Sequence, residues 1–165
     1  MTLKISLDSN KLGYFTPDST IDFCEANNIH SYYIAELFNT LSSFIYVVYA
    51  IIIIKQTRLV GSGLLLGVIG IGSALFHATL IYKLQLLDEL PMLWFASWNL
   101  QMIMQNEWKQ YKWIPIVLAI TTSITHVYFE IPELFFIVHM ILQIPLVYFA
   151  ISLSNISNYR PYIIK

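Results

Sequence analysis

The sequence predicts an all-α fold, a multi-pass bundle of transmembrane helices. Two observations carry that prediction. Of 165 residues, 57% are hydrophobic and only 12% are charged, with a mean hydropathy of +0.63. A soluble domain carries about a quarter charged residues, so the deficit is too large for an ordinary water-facing surface. The second is segmentation: five apolar stretches, at 34–54, 59–82, 86–104, 113–129 and 134–152, are separated by brief polar linkers. Each stretch is near the ~20 residues a helix needs to cross hydrocarbon, the fourth being the shortest.

In chain order, residues 1–33 form a polar N-terminal segment with turn formers at Asp8-Ser9-Asn10, Gly13 and Pro17-Asp18-Ser19. Residues 1–20 hold Lys4, Asp8, Lys11 and Asp18 and no apolar run, so no signal peptide is expected and an internal segment drives insertion. The bundle takes residues 34–155, and 156–165 form a short tail. Cys24 is the only cysteine, so no intrachain disulfide is possible. The net charge of −1 gives no reason to expect nucleic acid. Lys55, Arg58, Lys109, Lys112, Arg160 and Lys165 fall on one side of the bundle, and Lys4, Lys11 and Lys83 on the other with most of the acids. The first side is expected to be cytosolic and the N-terminus lumenal. Asn155-Ile-Ser157 matches a glycosylation acceptor, but this orientation places it in the cytosol.

Chemistry concentrates at residues 70–91. Ser73 and His77 are four apart, on one face of a helix. Asp88 stands at the start of the next apolar stretch, at the same level of the bilayer as His77 and the acidic N-terminal segment. Ionisable groups at membrane depth are costly and mark functional sites. A histidine can ligate zinc, a serine can donate to an oxyanion and an aspartate can take a proton from water. The alternative is a buried histidine bonded to serine or aspartate, joining two helices. Gly63, Gly67, Gly70 and Ala74 make a small-residue face for helix packing.

A second group is Asp22, Glu25, Asn27 and Glu36, a set of hard oxygen donors of the kind calcium prefers. The alternative is an acidic cap at the first helix, which suits Asp22 and Glu25. Glu36 suits it less, because the apolar pattern places it inside the first stretch. His30, His126 and His139 show no ligand spacing. The aromatic residues flank several stretches as an interfacial belt.

Two strings carry a family resemblance. One is Asp22-Phe-Cys-Glu-Ala-Asn27 with Tyr33-Ile-Ala-Glu36-Leu-Phe-Asn39-Thr40, in which Phe23 stands where a tryptophan is usual. The other is Gly72-Ser73-Ala-Leu-Phe-His77-Ala-Thr79-Leu80 with Gln85-Leu-Leu-Asp88-Glu89-Leu-Pro91. Over roughly residues 14–155 the chain resembles the alkaline ceramidases, membrane amidases of the adiponectin-receptor superfamily. The resemblance implies hydrolysis of the ceramide amide by zinc-activated water, in the endoplasmic reticulum or Golgi. It implies a calcium site from Asp22, Glu25, Asn27, Glu36 and the Phe23 backbone carbonyl. It implies His77 as a zinc ligand, Ser73 as an oxyanion partner and Asp88 as the proton-transfer residue. Family members have seven helices, and the last supplies a His-x-x-x-His pair to zinc. This chain has five stretches and no such pair, so it reads either as a C-terminally shortened member or as a paralogue without a complete zinc site. Ser73 and His77 are then expected to face lipid or a partner subunit. The alternative function is lipid or partner binding without turnover.

Overall fold

The computed structural model describes residues 13–56 and 58–154. The described residues are all-helical, with α1 at Leu37–Gln56, α2 at Val60–Thr79, α3 at Tyr82–Glu107, α4 at Ile114–Phe129 and α5 at Pro132–Ser154. A single 3-10 turn, Lys109–Tyr111, joins α3 to α4. The tail at 156–165 and the glycosylation motif at 155–157 lie outside the described residues.

Among the described residues, three helices are long and apolar enough to cross a membrane: α1, α2 and Pro132–Phe149 of α5. The chain is a multi-pass membrane protein. α3 and α4 stand where apolar stretches are expected but fall short by the same measure. α3 carries Lys83, Asp88 and Glu89 in its first turns. α4 has 16 residues, about 24 Å at 1.5 Å per residue.

α3 is the hub, packing against α2, α4 and α5, and α2 is the most buried of the three apolar spans. Half of the α2 span is buried inside the molecule, against 17% for α1 and for α5. The small-residue face accounts for the close α1–α2 packing. A Cβ at Gly63 would come within 3.2 Å of the Ala50 carbonyl, and one at Gly70 within 2.8 Å of Val47 Cγ2. The outer face of α1, with Leu41, Phe44, Ile45, Val48 and Ile52, is exposed, as lipid contact requires. A separate core joins α3, α4 and α5 through Leu93, Ala96, Leu100, Ala119, Phe135, Val138 and Leu142.

The turn between α2 and α3 is pinned by the N-terminal segment. Leu80 closes α2 in the left-handed region, at φ 54° and ψ 35°, a conformation that costs a residue with a Cβ about 1–2 kcal/mol. Its carbonyl accepts the backbone N–H groups of Asp18 and Ser19, both at 3.1 Å. The Asp18 carboxylate in turn accepts the Tyr82 N–H at 2.6 Å and caps α3. Residues 18–20 therefore act as a strap across the start of α3.

Candidate active site

α2 delivers Ser73 and His77 to the inside of the bundle. They are 7% and 8% exposed, so the expectation that they face lipid is corrected: α1, α3 and the N-terminal segment cover them. The nearest partner of His77 is neither serine nor aspartate. Its Nδ1 lies 2.5 Å from Glu36 Oε2, and Glu36 is fully buried.

The placement of Glu36 corrects a second expectation. α1 begins at Leu37, so Glu36 precedes the helix instead of lying within it. Its carbonyl accepts the Thr40 N–H at 3.0 Å and the Thr40 hydroxyl at 2.6 Å. Its own N–H donates to the His77 carbonyl at 3.0 Å, and the Ala35 N–H donates to the Ala78 carbonyl at 2.9 Å. Residues 35 and 36 are thus held in a bend against the end of α2. Asn39 Nδ2 adds a bond to Glu36 Oε2 at 3.0 Å. A carboxylate on Nδ1 fixes the orientation of the ring and directs Nε2 to any ligand, the arrangement common to metal-binding histidines.

α3 brings Asp88 to the same place. Its buried carboxylate interacts with the Ser73 hydroxyl and with His77. Ser73 also lies 3.0 Å from Ser43 Oγ, itself 2.7 Å from the Asn39 carbonyl. The approach of α3 to α2 rests on Gly72 and Pro91. A Cβ at Gly72 would sit 2.5 Å from the Leu87 carbonyl oxygen and 3.1 Å from the Asp88 nitrogen. Pro91 has no N–H, so Leu87 loses its intrahelical donor. The bare Gly72 backbone faces that carbonyl, close enough for a weak Cα–H···O contact. Ser73, His77 and Asp88 are thus brought together.

The expected calcium set is spread over several tasks. Asn27 Nδ2 donates to Asp22 Oδ1 at 3.1 Å. Glu25 caps α1, accepting the Phe38 N–H at 2.8 Å and the Asn39 N–H at 2.9 Å. Partial burial pushes the Glu25 carboxyl up, but these backbone bonds and the nearby His30 outweigh it, and it lies below the usual glutamate range. The capping role therefore falls to Glu25, while Asp22 pairs with Asn27. Glu25→Ala is expected to cost about 1 kcal/mol through loss of the cap, measured by thermal unfolding in the presence of a chelator. The Phe23 ring stands edge-on to His77, with centroids 5.0 Å apart.

Two further atoms test whether calcium fits. Four buried side-chain polar atoms lack a hydrogen-bond partner among the described residues: Asn27 Oδ1, Glu36 Oε1, Ser97 Oγ and His139 Nδ1. The first two are acceptor oxygens of the expected calcium set. Unpaired buried acceptors are expensive, but Asp22, Glu25 and Glu36 do not converge as a metal-binding group among the described residues, so as placed they do not by themselves assemble a calcium site. The same holds for zinc. No three His, Cys, Asp or Glu side chains converge as a metal-binding group among the described residues. Zinc takes three or four protein ligands, so the described residues do not by themselves fit it.

Sequence reasoning misses three partners: Glu36 on His77, Ser43 beside Ser73, and a second buried pair in which His126 Nε2 lies 2.6 Å from Glu89 Oε2. Only the last left a trace, a Gln85/Glu89 pair four apart in an apolar helix.

Comparison with known proteins places this site in a family. The model of the Ceramidase family matches residues 15–161. The chain is similar to alkaline ceramidase YPC1 of Saccharomyces cerevisiae, at 44% identity over 50% of this chain and 29% of that protein. It is 40% identical to alkaline ceramidase 3 of Mus musculus over 52% of this chain and 35% of that protein. The alkaline ceramidase of Drosophila melanogaster is 32% identical over 87% of this chain and 57% of that protein. The chain thus spans only part of the length of the curated relatives it matches. A family match that takes in nearly all of the described residues, Asp22 to Asp88 included, settles the assignment: the chain belongs to the alkaline ceramidase family.

Proposed function

We propose that the chain hydrolyses the amide of ceramide within the membrane, releasing a fatty acid and a sphingoid base. The observation that carries this reading is the meeting of a hydroxyl, an imidazole and a carboxylate inside an otherwise apolar bundle, with Glu36 orienting the imidazole. Water attacks the amide carbonyl while Asp88 takes its proton. The Ser73 hydroxyl donates to the carbonyl oxygen as charge builds there. The C–N bond then breaks, and Asp88 returns the proton to the departing nitrogen. Exposed apolar faces on α1 and α5 keep the site within reach of a two-chain lipid.

Zinc belongs to the fuller form of this reading: when bound, it supplies water acidic enough to ionise near pH ~7. His77 is its one donor among the described residues. Calcium would be held by Asp22, the Phe23 carbonyl, Glu25, Asn27 and Glu36. The loop charges support a lumenal N-terminus and a cytosolic C-terminus, and the family resemblance supports the endoplasmic reticulum or Golgi. The test is release of sphingoid base from labelled ceramide by the purified chain, with and without chelator, alongside metal analysis. No release under any metal condition rejects the reading. Calcium at about a hundred times its Kd is expected to raise stability by about 2.7 kcal/mol. Differential scanning calorimetry reads this, and Glu36→Gln should reduce it.

One observation favours a second reading, lipid or partner binding without turnover: a single imidazole, His77, meets Ser73 and Asp88. It predicts thermal stabilisation by ceramide that is independent of zinc and survives His77→Ala.

A further inference from the structure

The pair Glu89 and His126 lies outside the site described above, and every polar atom around it has a partner. Glu89 Oε1 accepts from Gln85 Nε2 at 2.9 Å, and Oε2 lies 2.6 Å from His126 Nε2. His126 and Gln85 are fully buried. Gln85 gives its second amide hydrogen to Thr20 Oγ1 at 2.7 Å and accepts the Thr20 N–H at 2.9 Å. His126 Nδ1 faces the Ile131 carbonyl at 3.3 Å. A carbonyl only accepts, so Nδ1 carries a proton, and Nε2 and Oε2 hold another between them. One face of α3 is thereby fastened to α4 and to the N-terminal strap at once.

Successive side chains on an α-helix diverge by about 100°. Glu89 points to α4, and its neighbour Asp88 points to α2 and Ser73. A rotation of α3 about its axis that turns Glu89 off His126 also swings Asp88 off Ser73. We infer that Glu89 and His126 are positioning residues for Asp88, setting the rotation of α3 so that its carboxylate faces Ser73 and His77. The inference rests on the proposed hydrolysis for its kinetic consequence, but its geometric consequence stands alone.

The experiment therefore reads both, in the purified full chain. Cys24 is replaced by serine, and Asp88→Cys is labelled with a water-soluble methanethiosulfonate. Labelling at position 88 is expected to be slow with His126 present and about tenfold faster with His126→Ala, as local opening would give. An Ala50→Cys control, between α1 and α2, should keep its rate. Glu89→Gln, which keeps the side chain's shape, should give an intermediate rate. His126→Gln, which can still donate to Oε2, should restore slow labelling. In the chain that retains Asp88, His126→Ala is expected to lower kcat about a hundredfold, the effect of a displacement near 1 Å. KM should stay within about twofold, because substrate contacts are untouched. Unchanged labelling at position 88, or equal acceleration at position 50, overturns the inference. Turnover absent from the unaltered chain, with labelling as expected, rejects the hydrolysis reading and leaves the positioning role standing.

Discussion

Asp88→Asn is expected to lower ceramide turnover by about 10²- to 10⁴-fold, the range a positioned general base supplies. The substitution is nearly isosteric, and the amide oxygen still accepts from Ser73, so the fold should hold. In the proposed reaction, what disappears is the group that takes the proton from water and returns it to nitrogen. Thermal unfolding should move little, by less than about 1 kcal/mol for a surviving buried hydrogen bond. Ceramide should still protect the variant against heat, because Asp88 contributes proton transfer and not grip. Turnover within twofold of the unaltered chain would remove Asp88 from the chemistry and leave binding as the better account.

Gly72→Ala is the second large effect. Its Cβ would meet the Leu87 carbonyl oxygen at 2.5 Å, the Leu87 carbonyl carbon at 2.8 Å and the Asp88 nitrogen at 3.1 Å. All three atoms are backbone, so no side chain can rotate away, and α3 must retreat by close to an ångström. Overpacking of this kind costs about 1–3 kcal/mol, and a shift of that size at a reacting group costs about a hundredfold in rate. Gly67→Ala is the matched control, since its Cβ would find only Ala50 Cβ at 3.5 Å, an ordinary contact. That variant should unfold within about 0.5 kcal/mol of the unaltered chain. Equal stability and turnover in the two variants would show that α2 and α3 do not need this approach.

The contrast between these glycines shows what a sequence carries. The stripe Gly63, Gly67, Gly70 and Ala74 announces a packing face, because small residues spaced three and four apart have few other uses in a membrane. That Gly72, just off the stripe, faces a different helix is not announced. It depends on Pro91 freeing the Leu87 carbonyl, a pairing of distant positions. Ser73, His77 and Asp88 are legible for a simpler reason: polar groups in apolar stretches are expensive, and each needs a justification.

The partners are harder to read. Glu36 and His77 are 41 residues apart, and Glu89 and His126 are 37 apart; nothing local links either pair. The start of α1 is misread because Ile34 and Ala35 continue the apolar pattern. The backbone at Ala35 and Glu36 is nonetheless drawn out of the helix by bonds to the Ala78 and His77 carbonyls. Hydropathy records what a residue dislikes, not which backbone will claim it. The calcium set is visible as oxygen donors, but its division of labour, with Glu25 capping and Asp22 steadying Asn27, is a property of the loop's path.

The strap at residues 18–20 has a consequence for how the chain is built. Its partners, Leu80, Tyr82 and Gln85, leave the ribosome some 64 residues after it, roughly 3–13 s later at 5–20 residues per second. The strap therefore cannot dock until the α2–α3 corner has been made. Until then Glu36 has no imidazole and the α2–α3 corner has no clasp. Biogenesis of this protein includes an interval in which the strap, already made, waits for the hairpin that will receive it.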